Sequence, residues 1–327
     1  MRAPASPREA LEPILPYLGP IEHLLLDDAV TEIMACSSGQ LFAERDGLLE
    51  ACEAPGWTAH ELERALVQIA RSLQQDISAS EPLLDARLPD GSRVAATLPP
   101  VSSAPVLTIR KHGTRTFTVA DLVDNGTLPP AVLETARHVL AAKGNILIAG
   151  STGSGKTTLM AALLNDLEPG ERFVIIEDTA ELRLEQAHQE RFEARRAAPG
   201  RAEVTIRDLV RHSLRHRPDR LVVGEVRGPE AWDLLQALNT GHGGAISTIH
   251  ANSAGDALMR LATCALMQEG SAGLPWPALA AIVGAVTDLI VHITRWQGVR
   301  MVSEAIRVLR YDPQRQEWET ERRWPQD

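Results

Sequence analysis

The chain has 327 residues, a length that suits about two domains of ordinary size. Hydrophobic residues make up 44% and charged residues 23%, which excludes wholesale disorder. A formal net charge of −10 excludes bulk binding to polyanions, so no direct nucleic-acid partner is expected without a local basic patch. Cys36, Cys52 and Cys264 show no CxxC spacing and read as reduced thiols, neither a disulfide framework nor a zinc site. No apolar run reaches the roughly 18 residues of a membrane span. The nearest, 281–293, is interrupted by Asp288. The start of the chain lacks the apolar core of a signal peptide. These features predict a soluble cytoplasmic protein whose membrane association, if any, is peripheral.

In chain order, residues 1–20 read as a frayed, Pro- and Ala-rich arm with a short helix. Residues 41–47 (LFAERDG) read as a strand ending in an Asp-Gly turn. Over 58–72 an N-cap precedes a helical stripe of Leu62, Leu66, Ile69 and Leu73. Short strands follow at 85–88, 93–98 and 106–110, separated by Pro-Asp-Gly and Pro-Pro breakers. This predicts a small mixed α+β domain over 1–111. Residues 112–130 read as a linker, with His112-Gly113, Asn125-Gly126 and a closing Pro129-Pro130, and room for a short helix at 119–124. From 131 the text changes. A helix over 131–142 leads into NILIA at 145–149, a continuous apolar run of the kind that suits a strand buried on both faces. Runs at 172–176, 221–223 and 245–249 are similar, each flanked by helical text. Their alternation predicts an α/β domain with a mainly parallel sheet over 131–327. After Trp276 come one more apolar segment and two strands, 301–309 and a Trp-rich tail.

Gly150, Ser151, Thr152, Gly153, Ser154, Gly155, Lys156 and Thr157 match G-x-x-x-x-G-K-[ST], after a predicted strand and before a helix over 158–167. Glycines let backbone N–H groups approach phosphate oxygens, and the helix N-terminus adds its positive end. Lys156, one of three lysines with Lys111 and Lys143, falls where the β- and γ-phosphates would be bridged. Thr157 is the expected Mg²⁺ ligand, and Thr158 completes the nucleotide-binding set. ATP and Mg²⁺ are the expected cofactors.

Two acidic motifs follow. IIEDTAE puts Glu177 at the carboxyl end of a strand, where α/β sheets place ligands and a carboxylate can orient an attacking water. Asp178 and Glu181 compete for that role, and Asp178 also suits a helix cap. LVVGEVR has the form of a Walker B element with Glu225 in the place of Asp, to hold Mg²⁺ directly or through water. Arg227 beside it suits either a phosphate contact or a plain salt bridge. In TGHGGAISTIHAN, His250 stands at a strand end where a γ-phosphate sensor belongs, and His242 in the loop at the opposite edge. The stretch 183–220 holds ten arginines against six acids and reads as a solvated helical face more than a partner surface.

Together GSTGSGKTT, IIEDTAEL and SLRHRPDRLVVGEVRGPEAWDLLQALNTGHGGAISTIHAN resemble the Walker A, Asp box, Walker B and His box of the secretion and traffic ATPase superfamily. Its members power type IV secretion, conjugation, type II secretion and type IV pili. DDAVTEIM, FAERDG and RVAATLPPVSSAPVLTIRKHG extend the likeness over roughly 20–300, most of all toward the conjugal transfer ATPases of the TrbB type. The lack of a four-cysteine zinc module points to the conjugation or type IV secretion branch. The resemblance implies a homohexameric ring of subunits, each with a PAS-like N-terminal domain and a RecA-like P-loop domain, and nucleotide between them. It implies an arginine from the N-terminal domain at the phosphates, Arg110 first, then Arg93 or Arg115. It also implies inner-membrane secretion or conjugation components as partners, at the cytoplasmic face. The implied function is a Mg²⁺-dependent ATPase powering conjugal DNA transfer or type IV secretion, by substrate translocation or pilus biogenesis. Within the superfamily the alternative is a pilus-assembly or type II secretion ATPase. Outside it, a RecA-like DNA motor meets the wrong net charge, and a nucleotide switch or small-molecule kinase would need neither Arg110 nor the paired histidines.

Overall fold

A computed structural model describes residues 7–45, 47–53, 57–111, 116–195, 197, 200–268 and 274–325. Asp46 of the expected turn, His112 and Gly113 of the expected linker, and Arg115 lie outside the described residues. The chain forms two compact units, Met1–Arg115 and Thr116–Asp327.

In the first unit, α1 (Pro7–Leu11) and α2 (Glu22–Leu25) lead into an antiparallel sheet. Its strands are β1 (Val30–Ala35), β2 (Leu41–Arg45), β3 (Leu48–Cys52), β4 (Leu83–Arg87), β5 (Arg93–Thr97) and β6 (Val106–Arg110), in spatial order β3-β2-β1-β6-β5-β4. Period-2 alternation turns Leu84, Ala86, Val94, Ala96, Leu107 and Ile109 to one buried face. Helix α3 (Ala59–Ser72) covers that face with Leu62, Leu66 and Ile69. Thr58 and Glu61 close a capping box at its start, worth about 1 kcal/mol. The sequence did not announce β1 or β3. A bulge between Val30 and Glu32 breaks the alternation of β1, and β3 is an exposed edge with Leu48 and Leu49 outward.

The second unit begins before residue 131. Helix α4 (Val119–Asp124) carries its own Thr118–Asp121 capping box, and Val119, Leu122 and Leu128 are buried in the unit's core. The 117–130 part of the expected linker is therefore core structure. Its Gly and Pro residues mark a helix end and a helix start, since Pro130 opens α5 (Pro130–Ala141). The strands are β7 (Ile146–Ala149), β8 (Phe173–Glu177), β9 (Gln189–Glu193), β10 (Arg220–Val226), β11 (Ile246–Ile249), β12 (Leu289–Trp296), β13 (Val299–Asp312) and β14 (Glu317–Trp324). They lie in the order β14-β13-β12-β7-β11-β10-β8-β9. From β9 to β12 every pair is parallel; β13 and β14 turn back antiparallel.

Helices α6 (Lys156–Asn165), α7 (Ile206–Ser213), α8 (Glu230–Asn239), α9 (Ala254–Leu266) and α10 (Trp276–Val286) alternate with these strands. Helices on both faces explain why β7, β8 and β11 are buried at every position. The apolar run 281–293 divides at Asp288 between α10 and β12. Asp288 accepts the Asn145 N–H at 2.7 Å, while the Asn145 side chain reaches Val286 O and the Ala245 N–H. Asn145 thus ties the starts of β7 and β11 to the link between α10 and β12. Among the described residues no helix is long and apolar enough to cross a membrane.

Candidate active site

Strand β7 hands the chain to α6 through the glycine loop. Gly155 caps α6 with φ 101°, a left-handed conformation that strains any residue with a Cβ. Gly150 is fixed by approach: a Cβ there would stand 2.2 Å from Ile293 O of β12. The Lys156 ammonium is buried and donates to Ser151 O at 2.8 Å and Gly150 O at 3.0 Å. The Ser154 N–H also points at Ser151 O, at a long 3.4 Å. Two donors thus converge on one carbonyl, in the place where a phosphate oxygen could accept from both. The Ser154 hydroxyl is buried and has no hydrogen-bond partner.

Strand order brings the other motif residues to the same end of the sheet. β11 lies between β7 and β10, and β8 follows β10. Glu177 ends β8, Glu225 lies near the end of β10, and His250 follows β11. His242, in the loop before β11, falls at the opposite end. The ladder between β10 and β11 slips between Val223 and Val226, and the Thr248 hydroxyl donates to Gly224 O at 2.6 Å across that slip. A Cβ on Gly224 would sit 3.0 Å from Glu177 Cγ.

Glu177 is 5% exposed, whereas its neighbour Asp178 is exposed. Its Oε1 accepts the Leu182 and Glu181 N–H groups at 2.8 and 2.9 Å, and Arg191 of β9 stands 3.6 Å from Oε2. Burial outweighs all three and raises its pKa above the ordinary carboxylate value. Glu225 behaves in the opposite way. Burial pushes it up, but the hydrogen bond and charge of Arg227, helped by His250 and Lys156, hold its pKa below the ordinary value. Arg227 Nη2 donates to Oε2 at 2.6 Å. Glu230 at the start of α8 is itself buried and fixes the turn, accepting from the Arg227 and Gly228 N–H groups. His250 Nε2 lies 2.9 Å from Glu225 Oε1. Burial and the Lys156 charge lower the His250 pKa, so the imidazole is neutral at pH 7.

Glu225 Oε1 is buried, with His250 Nε2 beside it and no hydrogen bond to it among the described residues. Among the described residues no three or more His, Cys, Asp or Glu side chains form a metal-binding group. A carboxylate held ionised, with an oxygen that accepts no hydrogen bond, and a hydroxyl residue in the first turn of α6 suit Mg²⁺, which keeps waters and substrate phosphates as its other ligands. Glu225 and Thr157 are the residues that fit.

Three contributors were not legible from the motifs. Arg191 belongs to β9, whose polar text QERFE hides a strand. His292 pairs with Ala149 in register, and burial lowers its pKa. Arg300 of β13 donates to Gly153 O. The arginine-rich stretch is not one solvated face: Arg207 and Arg211 both pair with Asp233, and Arg220 is buried against Glu171. In the first unit Arg110 ends β6 in an exposed position, paired across the sheet with Glu32 and Arg93.

The family of Type II/IV secretion system proteins matches residues 17–309. A probable conjugal transfer protein TrbB of Sinorhizobium fredii is 37% identical over 303 residues, covering 90% of this chain and 89% of the relative. A type IV secretion system protein PtlH homolog of Bordetella bronchiseptica is 36% identical over 293 residues, covering 82% and 86%. The solved structure of the Legionella pneumophila ATPase DotB shares the fold at a TM-score of 0.64 and 21% identity, over 92% of this chain and 82% of that one. With the phosphate loop and the acids at one end of one parallel sheet, the chain belongs to the type II/IV secretion system protein family and is a secretion ATPase.

Proposed function

We propose that this protein is a Mg²⁺-dependent, ring-forming ATPase that powers conjugal transfer or type IV secretion from the cytoplasmic face of the inner membrane. One observation carries the catalytic reading: Lys156, Glu225, His250 and the buried Glu177 share the carboxyl end of a single parallel sheet. In this reading the glycine loop, Lys156 and Thr158 hold the triphosphate. Mg²⁺ at Thr157 and Glu225 would supply charge neutralisation at the β- and γ-phosphates. Glu177 orients a water and takes its proton as the water oxygen bonds to the γ-phosphorus. The bond from that phosphorus to the bridging oxygen breaks, and ADP and phosphate leave. A raised pKa suits Glu177 to accept the proton, and burial limits competing solvent. His250, neutral at pH 7, donates to the terminal phosphate and senses its loss. Arg227 balances Glu225 and can turn to a phosphate.

The first unit takes a PAS-like role and the second a RecA-like one, with Arg110 reaching the nucleotide from the former. The relatives named for conjugal transfer and type IV secretion support conjugation or secretion over a free-standing DNA motor. The partners are a homohexamer and inner-membrane secretion or conjugation components. The test is the native mass of the Glu177→Gln protein with Mg²⁺ and ATP. Six-subunit closed particles are expected. A monomer or dimer would favour a switch or kinase, and an open-ended ladder of masses a RecA-type filament. Arg110→Ala should slow hydrolysis in the assembled ring; an unchanged rate there removes Arg110 from the site.

A further inference from the structure

The hairpin formed by β12 and β13 lies against the phosphate loop on the side away from the acids. β11, β10 and β8 carry His250, Glu225 and Glu177 on one side of β7; β12 and β13 stand on the other. Three loop glycines meet this hairpin. A Cβ on Gly150 would strike Ile293 O, a Cβ on Gly155 would stand 3.2 Å from Arg300 Cδ, and one on Gly153 would stand 3.6 Å from Arg295 Nη1. Arg295 and Arg300 are register partners on the two strands. Arg300 Nε donates to Gly153 O at 3.2 Å, joining hairpin to loop apex across 147 residues of sequence.

We infer that Arg300 is a positioning residue for nucleotide binding: by holding the Gly153 carbonyl outward, it aims the Ser154 N–H into the phosphate cradle. The inference rests on the ATPase reading above and adds to it a residue outside every motif. The physical link is the planar trans peptide. The Gly153 carbonyl and the Ser154 N–H belong to one rigid plane and point in opposite directions. A guanidinium on the carbonyl therefore fixes the direction of the N–H. That N–H already points toward Ser151 O, the carbonyl that also accepts from Lys156. A free carbonyl could rotate inward instead and present a partial negative charge to the phosphates. Because the brace stands away from Glu177 and Glu225, it acts on ligand and transition state alike. Losing it should raise KM and leave kcat nearly intact.

The variant is Arg300→Met, which keeps the aliphatic stem beside Gly155 and removes the donor and the charge. Arg300→Gln serves as a second variant, so that one folded protein suffices. Steady-state ATP hydrolysis is measured together with titration of ADP and of inorganic tripolyphosphate, on the full chain with Mg²⁺, beside melting without ligand. The expected result is a roughly tenfold weaker affinity for both ligands, a similar rise in KM and a kcat within about twofold, at an unchanged melting midpoint. Unchanged affinity and KM would overturn the inference. So would weakening confined to ADP, which would make Arg300 a contact of the nucleoside, or a fall in kcat at constant KM. If the unmodified protein bound neither ligand, the ATPase reading would fall first and this inference with it. Normal turnover with an indifferent Arg300 would sink this inference alone.

Discussion

The ends of β8 and β10 offer two carboxylates in the same sheet with opposite electrostatic surroundings. Glu177 is held by two backbone N–H groups, with Arg191 at 3.6 Å, and burial raises its pKa. Glu225 is clasped by Arg227 at 2.6 Å, and its pKa is lowered. The difference separates their chemistry. A carboxylate pushed toward its proton can take one from water, whereas one held firmly ionised can hold a cation. Sequence type alone does not distinguish them, since both are Glu after an apolar strand.

Substitutions can break or sharpen that contrast. The largest effect should come from the cradle both acids serve: Lys156→Ala should lower hydrolysis by about 10³-fold, and near-normal turnover in a steady-state assay would refute the phosphate-loop assignment. Next, Glu177→Gln should lower kcat by about 10²-fold while nucleotide still binds. Glu225→Gln should instead leave a cation requirement that has moved, with on the order of tenfold more Mg²⁺ needed for half-maximal rate. A Mg²⁺ titration with an unmoved midpoint would remove Glu225 from the metal. The smallest effect belongs to pH. The base must be ionised, so activity falls as pH drops through the Glu177 pKa, which lies above the ordinary carboxylate value of about 4.3. Arg191→Ala removes a stabilising positive charge, raises that pKa further and should move the acid limb upward by a few tenths of a pH unit. A limb that stayed still, or moved down, would show that Arg191 does not act on Glu177.

The legible parts of the molecule were those whose constraints are local. The phosphate loop, the buried runs of β7, β8 and β11, and the stripe of α3 are each fixed by neighbours within a few residues. The β10 end was half legible: Glu225 and Arg227 stand two apart, but Glu230 as the acid that shapes their turn was not apparent. What escaped depends on distant pairing. β9 is an edge strand with a polar face, so its text carries no apolar period, and only its ladder with β8 delivers Arg191 to Glu177. Arg300 reaches Gly153 only after a hairpin folds back along β7. The Gly and Pro residues of 117–130 suggested a linker because they punctuate two short elements, although the apolar residues between them are buried.

The most direct test of the division between the two acids is a paired measurement on Glu177→Gln, of ATP affinity and of kcat against pH. The account predicts affinity within about threefold of the unmodified protein, a kcat lower by about 10²-fold and loss of the acid limb. Affinity and kcat falling together, or an acid limb left in place, would contradict it.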